Sequence, residues 1–347
     1  TGGAGMIGSA LVKKLIESGK HVAIIDDFSR GRPEFVHPQA ELYGCDLAYG
    51  FPREVMNRTA RIWHLACKVG GVQYMLSNQL SSHRNAAVDW NVFEAALFCR
   101  AQLLFCSTAC IYPVTIQTEE WNMDVGNVNL REDDALARGA EPESVYGWAK
   151  LIGELAIAQD MREHAEREWK IVRMFNVYGP REVPSPVTGH VIPSLIHKML
   201  CGTPPLEVWG TGRALRAFTY VDDAADGIIA TMQKGRPGIP YNIGTSEVVT
   251  VSRLAEMILA AEGINEQADK IRFAPEKPEG VFGRSAVCDR AFEELGWRPQ
   301  VSLEEGLFRT IRWCKQWLKD RGEWDGSLDA AWFQASAKPE SVSVEKT

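Results

Sequence analysis

The sequence predicts an α/β protein with a Rossmann-type, doubly wound parallel sheet and a smaller mixed α/β lobe. Two observations support this fold class. Strand-like and helix-like segments alternate along the first half of the chain, and a glycine-rich turn at the start is followed by a helix, a short strand and an acidic residue. After Pro180 prolines become frequent and segments short, which indicates the second lobe.

The first unit reads TGGAGMIGSALVKKLIESGK and then HVAIIDDFSRG. Gly2, Gly5 and Gly8 stand three residues apart and lead into an amphipathic helix. A β-branched strand follows and ends at Asp26. The strand that precedes such a glycine turn is absent from the sequence, so we expect it to belong before Thr1.

The alternation continues along the chain. ARIWHLAC, QLLFCSTA and WKIVRMFNVYGP have the pattern of strands, NAAVDWNVFEAALFCR that of a helix, and a long helix is expected from about Val145 to Glu168. These segments predict a dinucleotide-binding domain at 1–180 with a return segment at about 217–245, a second lobe from 181–216 and 246–320, and a peripheral or disordered tail at 321–347.

Composition excludes several classes of function. The formal net charge of −7 argues against nucleic-acid binding as the main task. No apolar run approaches the roughly 18–20 residues of a membrane span, and the start lacks the basic and apolar regions of a signal peptide. The eight cysteines form no C-x-x-C pair, which favours reduced thiols in a cytoplasmic enzyme over a disulfide framework or a zinc site.

The glycine turn and the acid after it predict a dinucleotide site. Free N–H groups at the start of a helix bind a pyrophosphate, and glycines let it approach. A carboxylate at Asp26 accepts the ribose hydroxyls and repels a 2′-phosphate, which favours NAD over NADP, although Arg30 and Arg32 oppose that preference. Asp46 in GCDL either faces the adenine or caps a turn.

In SVYGWAK, Tyr146 and Lys150 are four residues apart and therefore lie on one face of a helix. A free phenol with a pKa near 10 is a poor base at neutral pH. We expect the Lys150 ammonium, with the positive nicotinamide, to lower the pKa of Tyr146 and make it a base.

TGGAGMIG, STACIYP, YGWAK and FNVYGP, in this order and spacing, resemble the extended short-chain dehydrogenase/reductase family that acts on nucleotide sugars. The resemblance extends to about residue 320. It implies that Tyr146 removes the hydroxyl proton of the sugar, Thr108 hydrogen-bonds the same oxygen, and Lys150 binds the nicotinamide ribose. The cofactor-binding residues that it implies are Gly2, Gly5, Met6, Ile7, Asp26, Asp46, Leu47, Ala66, Tyr146 and Lys150.

The resemblance also implies where the nucleotide sugar binds. ACKVGGVQYMLSN is similar to a loop that lines the sugar pocket, LEVWGTGRALRAFTYVDD to a nucleotide-diphosphate segment, and KPEGVFGRSAVCD to a run with a second phosphate-binding arginine. Arginine suits phosphate because its planar fork binds two oxygens. The implied substrate-binding residues are Lys68, Gly70, Gly71, Val72, Asn176, Lys198, Trp209, Arg216 and Arg284.

The residues after Thr108 separate subgroups of the family. In the family that this chain resembles, sugar 4,6-dehydratases carry Asp-Glu at the two positions after the Ser/Thr, and UDP-glucuronate decarboxylases carry a Glu. This chain has Ala109 and Cys110 at these positions. Ala-Cys before IYP resembles the GDP-mannose 3,5-epimerases, and His190 in HVIP resembles the GDP-fucose synthases. The epimerases use a lysine two residues before Pro193, where this chain has Val191.

The sequence therefore predicts an NAD-dependent epimerase that inverts C3 and/or C5 of a GDP-hexose, with Cys110 and His190 exchanging protons. The alternatives are an NADPH-consuming epimerase–reductase of the GDP-fucose synthase type, another nucleotide-sugar 4-epimerase, a dehydrogenase of unrelated small molecules, and a catalytically silent dinucleotide-binding scaffold. Family resemblance suggests a homodimer through the helix from about Ala86 and the Tyr146 helix, and no nucleic-acid or membrane partner is expected.

Overall fold

The computed structural model describes residues 1–79, 83–125, 128–186, 188–264 and 270–334. The strands are β1 (Ala23–Asp26), β2 (Glu41–Gly44), β3 (Arg61–His64), β4 (Gln102–Thr108), β5 (Asn129–Leu130), β6 (Lys170–Met174), β7 (Val177–Tyr178), β8 (Leu206–Trp209), β9 (Leu215–Ala217), β10 (Thr219–Tyr220), β11 (Pro240–Ile243), β12 (Val248–Thr250), β13 (Ile271–Ala274) and β14 (Gly283–Ala286).

The helices are α1 (Met6–Glu17), α2 (Arg53–Met56), α3 (Val72–Ser77), α4 (Arg84–Cys99), α5 (Glu119–Val125), α6 (Asp134–Ala137), α7 (Val145–Glu163), α8 (Val191–Cys201), α9 (Val221–Lys234), α10 (Val251–Ala260) and α11 (Leu303–Asp320). The long helix expected to reach Glu168 ends at Glu163, and a short 3₁₀ turn follows at Ala165–Arg167.

The main sheet is parallel, in the order β11-β6-β4-β3, and β1 pairs with β2 beside it. Thr1 and Gly2 lie between β1 and β3. The Thr1 amine donates to Trp63 O at 2.7 Å, and Gly2 N–H donates to Ile25 O at 2.8 Å. The chain start thus bridges both sheets, and the glycine turn begins at their carboxyl-terminal edge.

Helices cover both faces of the main sheet, which explains why most residues of its strands are buried. Along β4, Leu104 and Cys106 pack in the cluster that includes α9, whereas Leu103 and Phe105 pack in the cluster that includes α4 and α7. This alternation is that of a strand buried on both sides. The rigid sheet holds Thr108, the last residue of β4, at the edge where the site forms.

The second lobe has a mixed sheet in the order β12-β9-β14-β5 and a pair β13-β8. The predicted boundary at residue 180 differs from the structure in one respect, because β5, at Asn129–Leu130, pairs with β14 of the second lobe. The segment 217–245 returns to the first domain, where β11 pairs with β6.

The first part of the tail is packed against the protein, unlike the peripheral tail that the sequence predicts. Trp332 is 1 % exposed and lies in the main apolar cluster. The Lys270 ammonium donates to the carbonyls of Ala331 and Gln334 at 3.1 and 2.7 Å. An indole of this size offers enough apolar area to fasten the segment. Residues 335–347 lie outside the described residues.

Candidate active site

One cavity of ≈ 720 Å³ lies where the carboxyl ends of β1, β3, β4 and β6 face the second lobe. It brings together sequence-predicted residues from both lobes, with the cofactor residues at one end and the second-lobe residues at the other. The predicted residues that line it are Gly2, Gly5, Met6, Ile7, Asp26, Asp46, Leu47, Ala66, Lys68, Gly70, Gly71, Val72, Thr108, Cys110, Tyr146, Asn176, His190, Lys198, Trp209, Arg216 and Arg284.

The glycine turn has no room for side chains. Gly2 has φ +71°, and a Cβ there would lie 2.7 Å from Ala66 N. A Cβ on Gly8 would lie 2.0 Å from Gly2 O. Helix α1 begins at Met6 with no side-chain cap, so the N–H groups of its first turn have no acceptor within the helix. This end of the cavity therefore fits a pyrophosphate.

Asp26 ends β1 with its carboxylate held by two backbone groups, because Ala4 N–H and Phe28 N–H donate to its two oxygens at 2.9 Å each. Each oxygen keeps a second lone pair for a ribose hydroxyl. Asp46 does cap a turn, since its Oδ1 accepts from Ala48 N–H at 2.9 Å. Its Oδ2 accepts from Arg84 at 2.9 Å.

Lys150 is completely buried, and its ammonium lies 3.0 Å from Asp89 Oδ1. Burial alone would lower the pKa of Lys150, but the Asp89 carboxylate outweighs it and raises that pKa. The same Asp89 oxygen lies 2.9 Å from His64 Nε2. Burial lowers the pKa of His64 to about 4, so the ring is neutral.

The expected lowering of the Tyr146 pKa is not found in this structure. Burial raises the pKa of Tyr146 well above its usual value, and the neighbouring thiols Cys67 and Cys110 act in the same direction, whereas the contact with the Thr108 hydroxyl opposes them. The Lys150 ammonium, which was expected to lower this pKa, pairs with Asp89 at 3.0 Å. The chain's own residues thus leave Tyr146 protonated, and the positive charge of a bound nicotinamide would act in the opposite direction to burial.

Cys110 and Arg284 are adjacent. The 3₁₀ turn Ala109–Ile111 follows β4, and Arg284 Nη1 lies 3.4 Å from Cys110 Sγ. Arg284 also donates to Glu143 at 2.7 Å and to Gln117 at 2.7 Å. Arg284, expected as a second phosphate clamp, lines the cavity, and its buried guanidinium also faces the thiol and is held there by the Glu143 carboxylate.

His190 precedes helix α8, and its Nδ1 contacts Glu182 Oε1. Burial within the cleft would lower the pKa of His190, but the Glu182 carboxylate outweighs it and raises that pKa above its usual value. The predicted GG loop packs against this segment, since a Cβ on Gly71 would lie 2.3 Å from Gly189 O. The loop and His190 therefore share one wall of the cavity.

At the second-lobe end, the Lys198 ammonium lies 5.1 Å from the centre of the Trp209 ring. Arg216 donates to the backbone carbonyls of Val281 and Phe282, at 2.6 and 3.1 Å. Burial lowers the pKa of Arg216 to about 10, and nearby Arg284 acts in the same direction. Among the residues that the structure describes, no carboxylate forms an ion pair with Arg216, so this end favours an anion.

Two other predicted substrate residues have partners of their own. The Asn176 amide donates to Ala217 O at 2.9 Å. The Lys68 ammonium lies 3.6 Å from Asp27 Oδ2, which places it beside the cofactor acids as well as the sugar loop. The Lys68 backbone is held on both sides by buried Asn85, at 2.7 and 3.1 Å.

Sequence reasoning missed the acidic partners of the site, Asp89, Glu143 and Glu182. Asp89 and Glu143 contact predicted residues that are 61 and 141 positions away, and Glu182 contacts His190 eight positions later. The only signal in the sequence was Glu182, which follows FNVYGP directly after Arg181. In the described part of the chain, no group of three His, Cys, Asp or Glu side chains could hold a metal ion, and no helix is long and apolar enough to span a bilayer.

The family model described as the NAD dependent epimerase/dehydratase family matches residues 1–244. The chain belongs to this family. Its cofactor is NAD, and the glycine turn, the free N–H groups of α1 and the Asp26 carboxylate fit that cofactor. Binding of a hydride carrier by this chain therefore agrees with both its sequence and its structure.

Relatives in the family have different activities. The GDP-mannose 3,5-epimerase of Arabidopsis thaliana is 30% identical over 328 residues, 92% of this chain and 82% of that protein. UDP-glucuronic acid decarboxylase 1 of the same plant is 31% identical over 316 residues, 90% of this chain and 68% of that protein. The crystal structure of UDP-glucose 4-epimerase from Thermotoga maritima, with UDP-glucose, has a TM-score of 0.78 and 28% identity, covering 91% of this chain and 98% of that one. Similarity alone thus assigns the family and not the reaction.

Proposed function

We propose that the protein is an NAD-dependent nucleotide-sugar epimerase that oxidises C4 of a GDP-hexose transiently and inverts C3 and/or C5. The observation that carries the proposal is the presence of two further acid–base groups, Cys110 and His190, in the same cavity as Tyr146. A simple 4-epimerase needs no such pair. The similarity to GDP-mannose 3,5-epimerase over most of the chain supports the substrate class.

In the proposed reaction, Tyr146 removes the proton of the C4 hydroxyl and Thr108 hydrogen-bonds the same oxygen. NAD supplies hydride acceptance and return when it is bound. Lys150, whose buried ammonium is held by Asp89, would bind the nicotinamide ribose. Tyr146 returns its proton when the C4 ketone is reduced again, so no external reductant is consumed.

The C4 ketone makes the protons at C3 and C5 acidic, which is where Cys110 and His190 act. One of the two removes a carbon-bound proton and the other returns a proton to the opposite face, so that the centre inverts. The thiol carries its Arg284 contact and the imidazole its Glu182 contact, so each group has an ionic partner of opposite polarity. Arg284 opposes the rise in the Cys110 pKa that burial causes, and Glu182 raises the pKa of His190.

For the sugar nucleotide, we propose that the diphosphate lies near Arg216 and Asn176 and the base near Trp209. The carbonyl-bound guanidinium of Arg216 lacks a carboxylate partner among the described residues and lines the cavity, which supports an anion there. The Lys198 ammonium, which lies 3.5 Å from Glu207 Oε1, stands beside the Trp209 ring. Arg284, which also lines this cavity, is assigned to the thiol.

A second candidate is an epimerase–reductase of the GDP-fucose synthase type, which takes up reducing equivalents from NADPH on a 4-keto sugar. The observation that favours it is the position of His190 in the cavity with Glu182 beside it. The Asp26 carboxylate at the ribose site opposes it, because it repels a 2′-phosphate. A decarboxylase is less well supported, since Ala109 and Cys110 stand where decarboxylases of the family carry a glutamate.

We also propose a homodimer formed by α4 and α7, which pack against each other. On α7, Trp148, Ile152 and Leu155 recur at helical spacing and are 43%, 59% and 46% exposed. On α4, Trp90 and Phe98 are 59% and 70% exposed. A contiguous apolar face of this kind supports burial by a second copy. A cytoplasmic location is supported by the eight free cysteines.

Incubation of the NAD-loaded protein with GDP-mannose, UDP-glucose and UDP-glucuronate in D₂O, followed by NMR, tests the proposed function. We expect deuterium at C3 and/or C5 of the GDP-sugar, with no net change in the absorbance of reduced cofactor. Absence of deuterium with every substrate would reject the epimerase. Stoichiometric loss of NADPH with a 4-keto sugar would establish the second candidate, and release of CO₂ from UDP-glucuronate would establish a decarboxylase.

A further inference from the structure

The Arg284 guanidinium lies between a thiol and a carboxylate. Its Nη1 is 3.4 Å from Cys110 Sγ, and its Nη2 is 2.7 Å from Glu143 Oε2. Its Nε donates to Gln117 Oε1 at 2.7 Å. The side chain is 8% exposed, so these contacts are shielded from solvent. Every nitrogen of the fork thus has a protein partner.

Three separate elements build this arrangement. Arg284 lies on β14, Cys110 on the turn after β4, and Glu143 on the segment before α7. The Glu143 carboxylate is fixed in turn by the backbone of Val281. Because the three side chains come from packed elements of both lobes, their relative positions are set by the fold and not by local flexibility.

The groups that face Cys110 have opposing effects on its proton. Arg284 and Arg216 are positive and favour the thiolate, Glu143 is negative and opposes it, and Tyr146 and Thr108 add a phenol and a hydroxyl. Burial raises the pKa of the Cys110 thiol, and Arg284 acts against that rise. Without a cation beside it, a buried thiol is a very weak base.

We propose that Arg284 and Glu143 are positioning residues that set the proton affinity of Cys110, Arg284 by stabilising the thiolate and Glu143 by holding Arg284 and offsetting its charge. The proposal rests on the proposed function, in which Cys110 exchanges a proton with the sugar. It gives Arg284 a task in addition to any contact with a phosphate, since its contacts with Gln117, Cys110 and Glu143 use three of its five N–H donors. Arg284 and Glu143 must therefore change the proton affinity of the Cys110 thiol in opposite directions.

Alkylation of the NAD-loaded protein by iodoacetamide between pH 7 and pH 11, with the Cys110 peptide followed by mass spectrometry, measures the thiolate directly. In Arg284→Met we expect the midpoint of the rate profile to move up by about one pH unit, because a cation at this distance is lost. In Glu143→Gln we expect it to move down by about half a pH unit or more, because Arg284 is no longer offset.

Glu279→Gln is the matched control, because Glu279 lies on the segment before β14, accepts from Thr211 at 3.1 and 3.0 Å, and does not contact Arg284. Its midpoint should stay at the wild-type value. Arg284→Lys keeps the charge, and its midpoint should lie between those of wild type and Arg284→Met. If Arg284→Met fails to fold, as judged by thermal unfolding and NAD binding, the midpoint of Arg284→Lys is used for the comparison with Glu143→Gln instead.

Shifts in the same direction for Arg284→Met and Glu143→Gln, or unchanged midpoints in both, would overturn the proposal. The readout is separate from turnover. If wild type shows no deuterium exchange into any sugar while the two midpoints move apart, the proposed function fails and the thiol assignment stands. If exchange occurs but the midpoints do not separate, only the assignment of Arg284 and Glu143 fails.

Discussion

The two ends of the cavity are built in different ways. At the cofactor end, one continuous segment makes the site. It contributes the backbone of the turn around Gly2, the backbone N–H groups at the start of α1 and one side chain, the Asp26 carboxylate. At the sugar end, side chains pair with one another: Cys110 meets Arg284 from a distant segment, and His190 meets Glu182 from the loop just before it. A backbone site tolerates change in most of its side chains, whereas a site of paired side chains depends on each member.

The largest effect should come from Tyr146, which lies where the two ends meet. Tyr146→Phe removes the phenol and leaves the fold and the glycine turn intact, so we expect kcat to fall about 1,000-fold and NAD affinity to change little. Steady-state turnover and a fluorescence titration with NADH measure the two effects. Tyr49→Phe, at a residue 84% exposed, is the control. Equal losses in turnover and cofactor affinity would remove Tyr146 from its proposed role.

The variant Asp89→Asn tests whether the cofactor end of the cavity also depends on a buried ion pair, that of Asp89 with Lys150. Asp89→Asn leaves the buried Lys150 ammonium without its carboxylate, so we expect the free energy of unfolding to fall by about 3 kcal/mol. Urea unfolding measures the loss. Asp27→Asn breaks the partly exposed pair with Lys68 and should cost less than about 1 kcal/mol. Similar losses in the two variants would contradict the role given to Asp89.

The variant Glu182→Gln tests the sugar end of the cavity through the pH dependence of turnover. The Glu182 carboxylate raises the pKa of His190, so the stability that the pair supplies is complete below a pH of about 6.5 and is lost as pH rises through the raised pKa. If His190 donates a proton, the high-pH limb of turnover follows the same group. Glu182→Gln should move that limb to lower pH, with turnover at pH 8 reduced about tenfold.

Glu166→Gln is the matched control for Glu182, because Glu166 pairs with the exposed His164 at 3.5 Å outside the cavity. Its pH profile should coincide with that of wild type. A high-pH limb that stays in place in Glu182→Gln would show that His190 does not respond to Glu182. Persistence of the limb in His190→Asn would show that another group produces it.

The smallest effect on chemistry should come from the outer face of α4 and α7, whose exposed residues Trp148 and Ile152 do not line the cavity. A double change of Trp148 and Ile152 to Glu should give a monomer by light scattering at micromolar concentration, with turnover per chain within a fewfold of wild type. Phe308→Glu, at a residue 56% exposed on α11, should leave the assembly unchanged. A wild-type chain that is already monomeric would reject the dimer.

The comparison also explains what could be predicted from the sequence. The fold class was predictable because strand and helix periods are local, and the glycine turn because its residues are consecutive. Asp26 and the Tyr146–Lys150 spacing were found for the same reason. The pairing of β5 with β14, and the packing of Trp332, join residues far apart in sequence and left no local pattern.

What the sequence missed at the site has the same cause. Arg284 was assigned to phosphate because its motif shows an arginine, but the motif does not show that Glu143 and Cys110, 141 and 174 residues away, face it. The Tyr146 pKa was expected to fall because Lys150 is near in sequence. The Asp89 carboxylate that pairs with the Lys150 ammonium is 61 residues away.

The central claim is that Cys110 exchanges a carbon-bound proton of a GDP-hexose after oxidation at C4. The most direct measurement is deuterium incorporation at C3 and C5 of GDP-mannose in D₂O, compared between wild type and Cys110→Ser, both loaded with NAD. The account predicts incorporation by wild type and a loss of about 100-fold or more in the variant, with unchanged NAD binding. Equal incorporation by the two proteins, or none by wild type, would contradict it.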